Sequence, residues 1–154
     1  MVNTLVSVRH SAGNLLDKYS TAEQLEIPPP FNNNLLWNYG HVIVVQQLLH
    51  YARAGLELHI PDDLVAKCRP GTSPANWQTP PQTPPDIAML HDLALRLPEQ
   101  LEHDLAAGRF VNYDPYTTRA GMTINTIEDA LAFNLFHEGL HVGVMLSITK
   151  HLKG

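Results

Sequence analysis

The sequence predicts an all-α fold, a four-helix bundle, from three observations. Apolar residues recur at helical spacing in four stretches, the two-residue alternation of strands is weak throughout, and proline, glycine or asparagine clusters separate the helical stretches. Four amphipathic helices with two long connections bury their apolar stripes against one another in such a bundle. A chain of 154 residues suits a single domain, 1–154, around one core. No internal repeat is visible.

The first helix is expected over about residues 2–19, with Leu5, Val8, Leu15, Leu16 and Tyr19 available for the core. Pro28, Pro29 and Pro30 close the connection that follows. Asn32 to Asn34 then offer N-caps for a second helix, because a short side-chain oxygen accepts from the free N–H groups of the first turn. That helix carries Asn34, Trp37, His41, Val44, Val45, Leu48 and Ala52 on one side and is expected to end at Gly55.

From Leu56 to Pro85 the periodicity breaks down. Cys68 to Pro85 holds half of the twelve prolines, including the run Pro80-Pro81-Gln82-Thr83-Pro84-Pro85, and is expected to be a long semi-rigid connection over the surface between helices two and three. Use of that run as a docking peptide is a secondary reading. The third helix is expected to start with Thr83 as cap, Pro84 in the first turn and Asp86 at the third position. It should kink or break at Pro98 and stop at Gly108. The fourth should start near Asn125 or Thr126, place Glu128 and Asp129 where they complement the helix dipole, and continue to about Leu152.

Composition narrows the function classes. Hydrophobic content is 44%, and no unbroken apolar run reaches the ~18 residues of a membrane span. Arg9 and His10 interrupt the N-terminal stretch where a signal peptide needs an apolar core, so secretion is not expected. Cys68 is the only cysteine, which excludes an internal disulfide and fits a reducing cytoplasm. In its connection it reads as a small bystander rather than a nucleophile. A net charge of −5 and ten scattered basic residues argue against nucleic acid as a partner. No glycine-rich phosphate loop is present.

The segment His137-Glu138-Gly139-Leu140-His141 reads H-E-x-x-H. Two histidines four residues apart on a helix lie about 40° apart around the axis, with β-carbons roughly 5–6 Å apart. Both can bind one ion. Ala130, Phe133, His137, His141, Val144, Met145 and Ile148 form one apolar stripe around them. A lone histidine on such a stripe is ordinarily a hydrogen-bonded core residue, but the pair favours a metal.

Two ligands leave a metal under-coordinated. In zinc proteases the third is a His six residues after the motif's second His, or a more distant Glu. Here that position is Ser147, and no Asp or Glu follows Glu138. The protease reading is poor. Upstream, His41 is the sole histidine on the inward stripe of the second helix and is the expected third ligand, with His10 in reserve. His50, nine residues on, is offset by about 180° and should face solvent or a partner. His59 falls in the connection, His91 and His103 have no matching partner, and His151 suits the C-terminal end of the fourth helix dipole.

Two segments carry a family resemblance. Phe31-Asn32-Asn33-Asn34-Leu35-Leu36-Trp37-Asn38-Tyr39-Gly40-His41 resembles the W-x-x-x-H segment of the DinB/YfiT-like superfamily. The run Thr117 to Gly143, with Gly121, Thr126, Ala130, His137-Glu138, His141 and Gly143, resembles that family's H-E-x-x-H-x-G signature. The resemblance implies an up-down-down-up four-helix bundle and a divalent metal held by His41, His137 and His141. It also implies transfer or isomerisation chemistry with a low-molecular-weight thiol such as bacillithiol or mycothiol. It implies nothing about DNA.

Three neutral imidazoles leave a divalent ion its full charge and open positions for water or a thiol. Histidine ligands suit zinc, nickel, iron or manganese, with zinc and nickel foremost. The expected partners are a thiol and a small-molecule electrophile, and a metal-hydroxide hydrolase is the nearest variant. Glu138 is the candidate catalytic residue, polarising a bound water or orienting a ligand; a solvated surface carboxylate is its alternative. Asn38 and Asn134, each three residues before a histidine, are expected to orient the ligands. Trp37 and Phe133 are expected to pack rather than to contact substrate. Gly139 and Gly143 suggest close helix packing, with a homodimer interface as one setting. From a different class, a non-catalytic metal-binding bundle used for sensing or assembly competes with the enzyme.

Overall fold

The computed structural model describes residues 1–78, 83–119 and 121–152. Helices α1 (Val2–Leu16), α3 (Leu35–His50), α5 (Ile87–Ala106) and α6 (Ile127–Thr149) are the long elements. Two short helices, α2 (Thr21–Leu25) and α4 (Asp62–Cys68), lie in the connections. The expected all-α class holds. Among the described residues the sheet is a two-stranded antiparallel ribbon, Tyr116–Thr117 against Thr123–Ile124.

Capping side chains set most helix starts. Asn34 accepts from the Trp37 N–H at 2.8 Å, as the asparagine run predicts, and Thr126 accepts from the Asp129 N–H. The third long helix starts later than expected: Asp86, not Thr83, is its cap and accepts from Met89 N–H at 2.8 Å. Proline at 84 and 85 holds the preceding backbone out of the α region, so the first helical turn begins only at Ile87. Pro98 lies inside an uninterrupted helix rather than at a break. At the other ends, α1 stops at Leu16 and α6 at Thr149, each about a turn before the expected limits. Gly108 follows α5 at φ 66°, a left-handed conformation that suits glycine.

Helix α3 sits at the centre, against α1, α2, α4, α5 and α6. Fifteen of its sixteen residues are buried, so it has no solvent side. That corrects the expectation for His50, which is fully buried with α6 and the Arg9 charge nearby, and for Ala52, which is exposed in a short 3-10 turn after the helix. Val8 and Tyr19 are only partly buried; Leu5 and Leu16 are core.

The connection from 56 to 78 is also more structured than its prolines suggest. Ile60, Leu64, Cys68 and Trp77 are buried in the core, and Asp63 pairs with Lys67 along α4 at 2.7 Å. The middle of the proline run, 79–82, lies outside the described residues.

Helix α6 is the one described helix long and apolar enough to cross a membrane, by length and composition. No unbroken apolar run was expected to reach that length. Its polar residues interrupt the run, yet the helix as a whole stays apolar on average. It packs against α1 and α3.

Candidate metal centre

Three imidazoles from two helices converge. The ring centroids of His137 and His141 on α6 are 4.5 Å apart, and those of His41 on α3 lie 5.2 Å and 4.6 Å from them. One nitrogen of each lies within 4.8 Å of the other two, so the group can hold one metal ion. His10, the reserve ligand, is exposed on α1, and His59, His91, His103 and His151 are likewise outside the group.

The helices prepare the rings for this role. His41 Nδ1 lies 2.7 Å from the Cys68 carbonyl, and a carbonyl only accepts, so Nδ1 carries the proton and Nε2 keeps its lone pair free. His141 Nδ1 lies 2.7 Å from Asn38 Oδ1. The Asn38 amide is fixed by its own donors, which reach the Asn34 carbonyl at 2.7 Å and Asn33 Oδ1 at 3.2 Å, so Oδ1 must face the histidine. His141 Nε2 is therefore also free. His137 Nδ1 is buried without a hydrogen-bond partner among the described residues. Burial pushes His41 and His137 down to about 4 and His141 to about 3. Three neutral, partly desolvated imidazoles fit a divalent ion.

Packing behind the rings is specific. Trp37 stacks on His41 with centroids 4.4 Å apart and planes 17° from parallel. Cys68 ends α4 directly over Gly40, where an added β-carbon would meet its Sγ at 2.7 Å. Glycine at that position is what lets α4 come close enough for its last carbonyl to reach His41. The Cys68 thiol is buried and pushed up to about 12, which makes it a packing group.

Glu138 differs from both expectations. It is 1% exposed and lies in an ion pair with Arg9, which is 0% exposed. Arg9 donates from Nε to Oε2 at 2.8 Å and from Nη2 to Oε1 at 2.7 Å, and Asn134 donates to Oε1 at 2.8 Å. Both carboxylate oxygens are engaged on the α1-facing side of α6, so Glu138 is neither a solvated surface group nor placed as a free base. Asn134 accordingly orients Glu138 rather than a histidine; Asn38 alone of the two asparagines does the expected work. Gly139 and Gly143 have nothing within 4 Å of a built β-carbon, so the expected close helix packing does not occur within the chain.

The triad opens on a cavity of about 500 Å³ lined by His41 and His137 together with Trp37, Val45, Leu49 and Phe133. Trp37 and Phe133 thus form its wall as well as packing. The site lies between two helices contributing W-x-x-x-H and H-E-x-x-H, and the sequence matches the DinB superfamily over residues 4–145. The chain belongs to the DinB superfamily. No curated protein matches it.

Sequence reasoning missed three contributors to this DinB site. Arg9 stands on the stripe Leu5, Arg9, Ala12, Leu16, and a lone arginine in an apolar stripe is itself a signal that a buried anion awaits it. The Cys68 carbonyl gives no sequence signal, being backbone. The ribbon at 116–124 brings Tyr116, Thr118, Arg119 and Met122 to the cavity by a tertiary approach that local pattern does not encode.

Proposed function

We propose that this chain is a divalent-metal enzyme of the thiol-transfer type, with His41, His137 and His141 as ligands and Zn²⁺ or Ni²⁺ the foremost ions, Fe²⁺ or Mn²⁺ also suiting the donors. The observation that carries it is a cluster of three neutral imidazoles, two of which, His41 and His137, line a largely apolar cavity of about 500 Å³, within the size range of small-molecule sites. A divalent ion held there supplies positive charge that acidifies a coordinated thiol or water. The Cys68 carbonyl and Asn38 fix two of the rings, Trp37 shields the buried face of His41, and the apolar walls limit water near the reacting groups. A low-molecular-weight thiol, of the bacillithiol or mycothiol kind, gives up its proton to solvent. Its sulfur then bonds to an electrophilic carbon as the leaving group departs. Hydrolysis, with water in place of the thiol, is the nearest variant.

Among the described residues no fourth His, Cys, Asp or Glu joins the group, which favours an enzyme over a closed structural or sensing site. Within this proposal the four long helices form an up-down-down-up bundle in a cytoplasmic protein. A homodimer uses the α6 face where Phe136, Leu140 and Leu146 are about half exposed. The test is a screen of small thiols against aryl halide electrophiles, with aryl esters as the hydrolytic arm. Turnover that requires metal and is lost in His41→Ala supports the reading. Equal rates in wild type and variant would overturn it.

A further inference from the structure

The cavity above the triad has a charge pattern as well as a shape. Its wall is largely apolar, with Val45, Leu48, Leu49, Met122, Phe133 and Phe136 contributing. Two arginines, Arg53 and Arg119, also line it, and no Asp or Glu does among the described residues. In a chain of net charge −5, a cavity with two cations and no lining carboxylate is a local reversal of sign.

The two arginines are not equivalent. Arg53 donates to Asp114 at 2.5 Å and lies 4.6 Å from the centroid of the Tyr116 ring, so its charge is already met. Arg119 is exposed and has no carboxylate partner among the described residues. It is placed by the turn after the first ribbon strand. There Met122 donates its N–H to Thr118 Oγ1 at 3.1 Å, Thr118 donates its N–H to the Met122 carbonyl at 2.8 Å, and Gly121 sits at φ 81°.

From this we infer that the small molecule taken by the cavity is an amphipathic anion. A hydrocarbon body lies against the apolar wall, and a carboxylate or phosphate group is held by the Arg119 guanidinium at the mouth. This names the substrate class of the site proposed above and rests on that reading for its catalytic meaning, though not for the binding itself. Guanidinium matches carboxylate and phosphate oxygens in a planar two-donor geometry, and an unpaired arginine beside an apolar surface gives such a ligand an anchor at each end. Arg119 is a specificity residue in this scheme, selecting the charged group without touching the reacting atoms.

Calorimetric titration with octanoate, octanamide and octyl phosphate tests the assignment, on wild type and Arg119→Gln, each both metal-free after chelation and zinc-loaded. The two anions should bind wild type at least about tenfold more tightly than octanamide, the size expected of a hydrogen bond to a charged group. Arg119→Gln should lose that preference and keep the octanamide affinity. Whichever anion binds tighter identifies the head group. A preference that survives Arg119→Gln, or one that vanishes in metal-free wild type, places the anion elsewhere and overturns the inference. Zinc content is measured alongside: wild type that binds no zinc would sink the metal reading while leaving the anion comparison intact, and the converse separates equally well.

Discussion

Arg9 and Glu138, 129 positions apart in the sequence, form a two-donor ion pair at 2.7 and 2.8 Å with almost no solvent exposure on either side chain. The pair ties α1 to the helix that carries two of the three histidines, one residue from His137. Arg9 also donates to Gln46 Oε1 at 3.0 Å, so α3, the helix of the third histidine, is held by the same guanidinium.

Breaking a buried pair from one side leaves an uncompensated charge. Glu138→Met should cost about 3–5 kcal/mol of stability, and Arg9→Met a similar amount, while the Arg9→Met, Glu138→Met double variant should be less destabilised than either single change. Denaturant melts of the four proteins measure the coupling. Additive losses would mean that the two groups do not act as a pair.

Gly40 tests how the His41 carbonyl partner is placed. Gly40→Ala puts a methyl group against Cys68 Sγ, and overpacking of that kind should cost about 1–3 kcal/mol. It should also weaken metal binding by moving the Cys68 carbonyl. Adding Cys68→Ala removes the clash and should recover part of both losses. A Gly40→Ala protein with wild-type melting and metal affinity would show that α4 does not hold His41.

Asn38→Ala removes the oxygen that fixes the His141 tautomer. Metal affinity should fall about 10–100-fold with the fold intact by circular dichroism. Unchanged affinity would assign His141 its orientation from packing alone.

Acid should unfold the metal-free protein early. His41, His50, His137 and His141 are held down to about 4 or 3 in the fold, against 6.5 when unfolded, so the unfolded chain binds protons first as the pH falls. Stability should be full above pH 6.5 and decline progressively toward pH 4. Fully buried His50 is not a ligand, so His50→Gln should flatten part of that decline. Melting temperatures across the window that stay level in wild type would contradict the neutral, buried state.

Much of the architecture could be read from local pattern because caps and stripes are local. Asn34, Thr126 and Gly108 mark helix ends through their own side chains or backbone freedom. The histidine triad was legible because i, i+4 spacing puts two imidazoles on one helix face, and His41 stands one turn after Trp37 on one stripe. What periodicity could not supply is whatever a second element adds. His50 is on the far side of α3 from His41, yet other helices cover that side too. The fate of Glu138 depends on an arginine more than a hundred residues away. Ser20 and Glu23 do form a capping box, a start signal for α2 present in the sequence but inside a stretch expected to be a connection.

Titration of chelator-treated, tag-free wild type and His41→Ala with zinc, followed by metal analysis after dialysis, bears most directly on the three-histidine site. Wild type should retain one equivalent, and His41→Ala should bind far more weakly and retain little. One equivalent held equally well by His41→Ala would remove His41 from the site and the proposed chemistry with it.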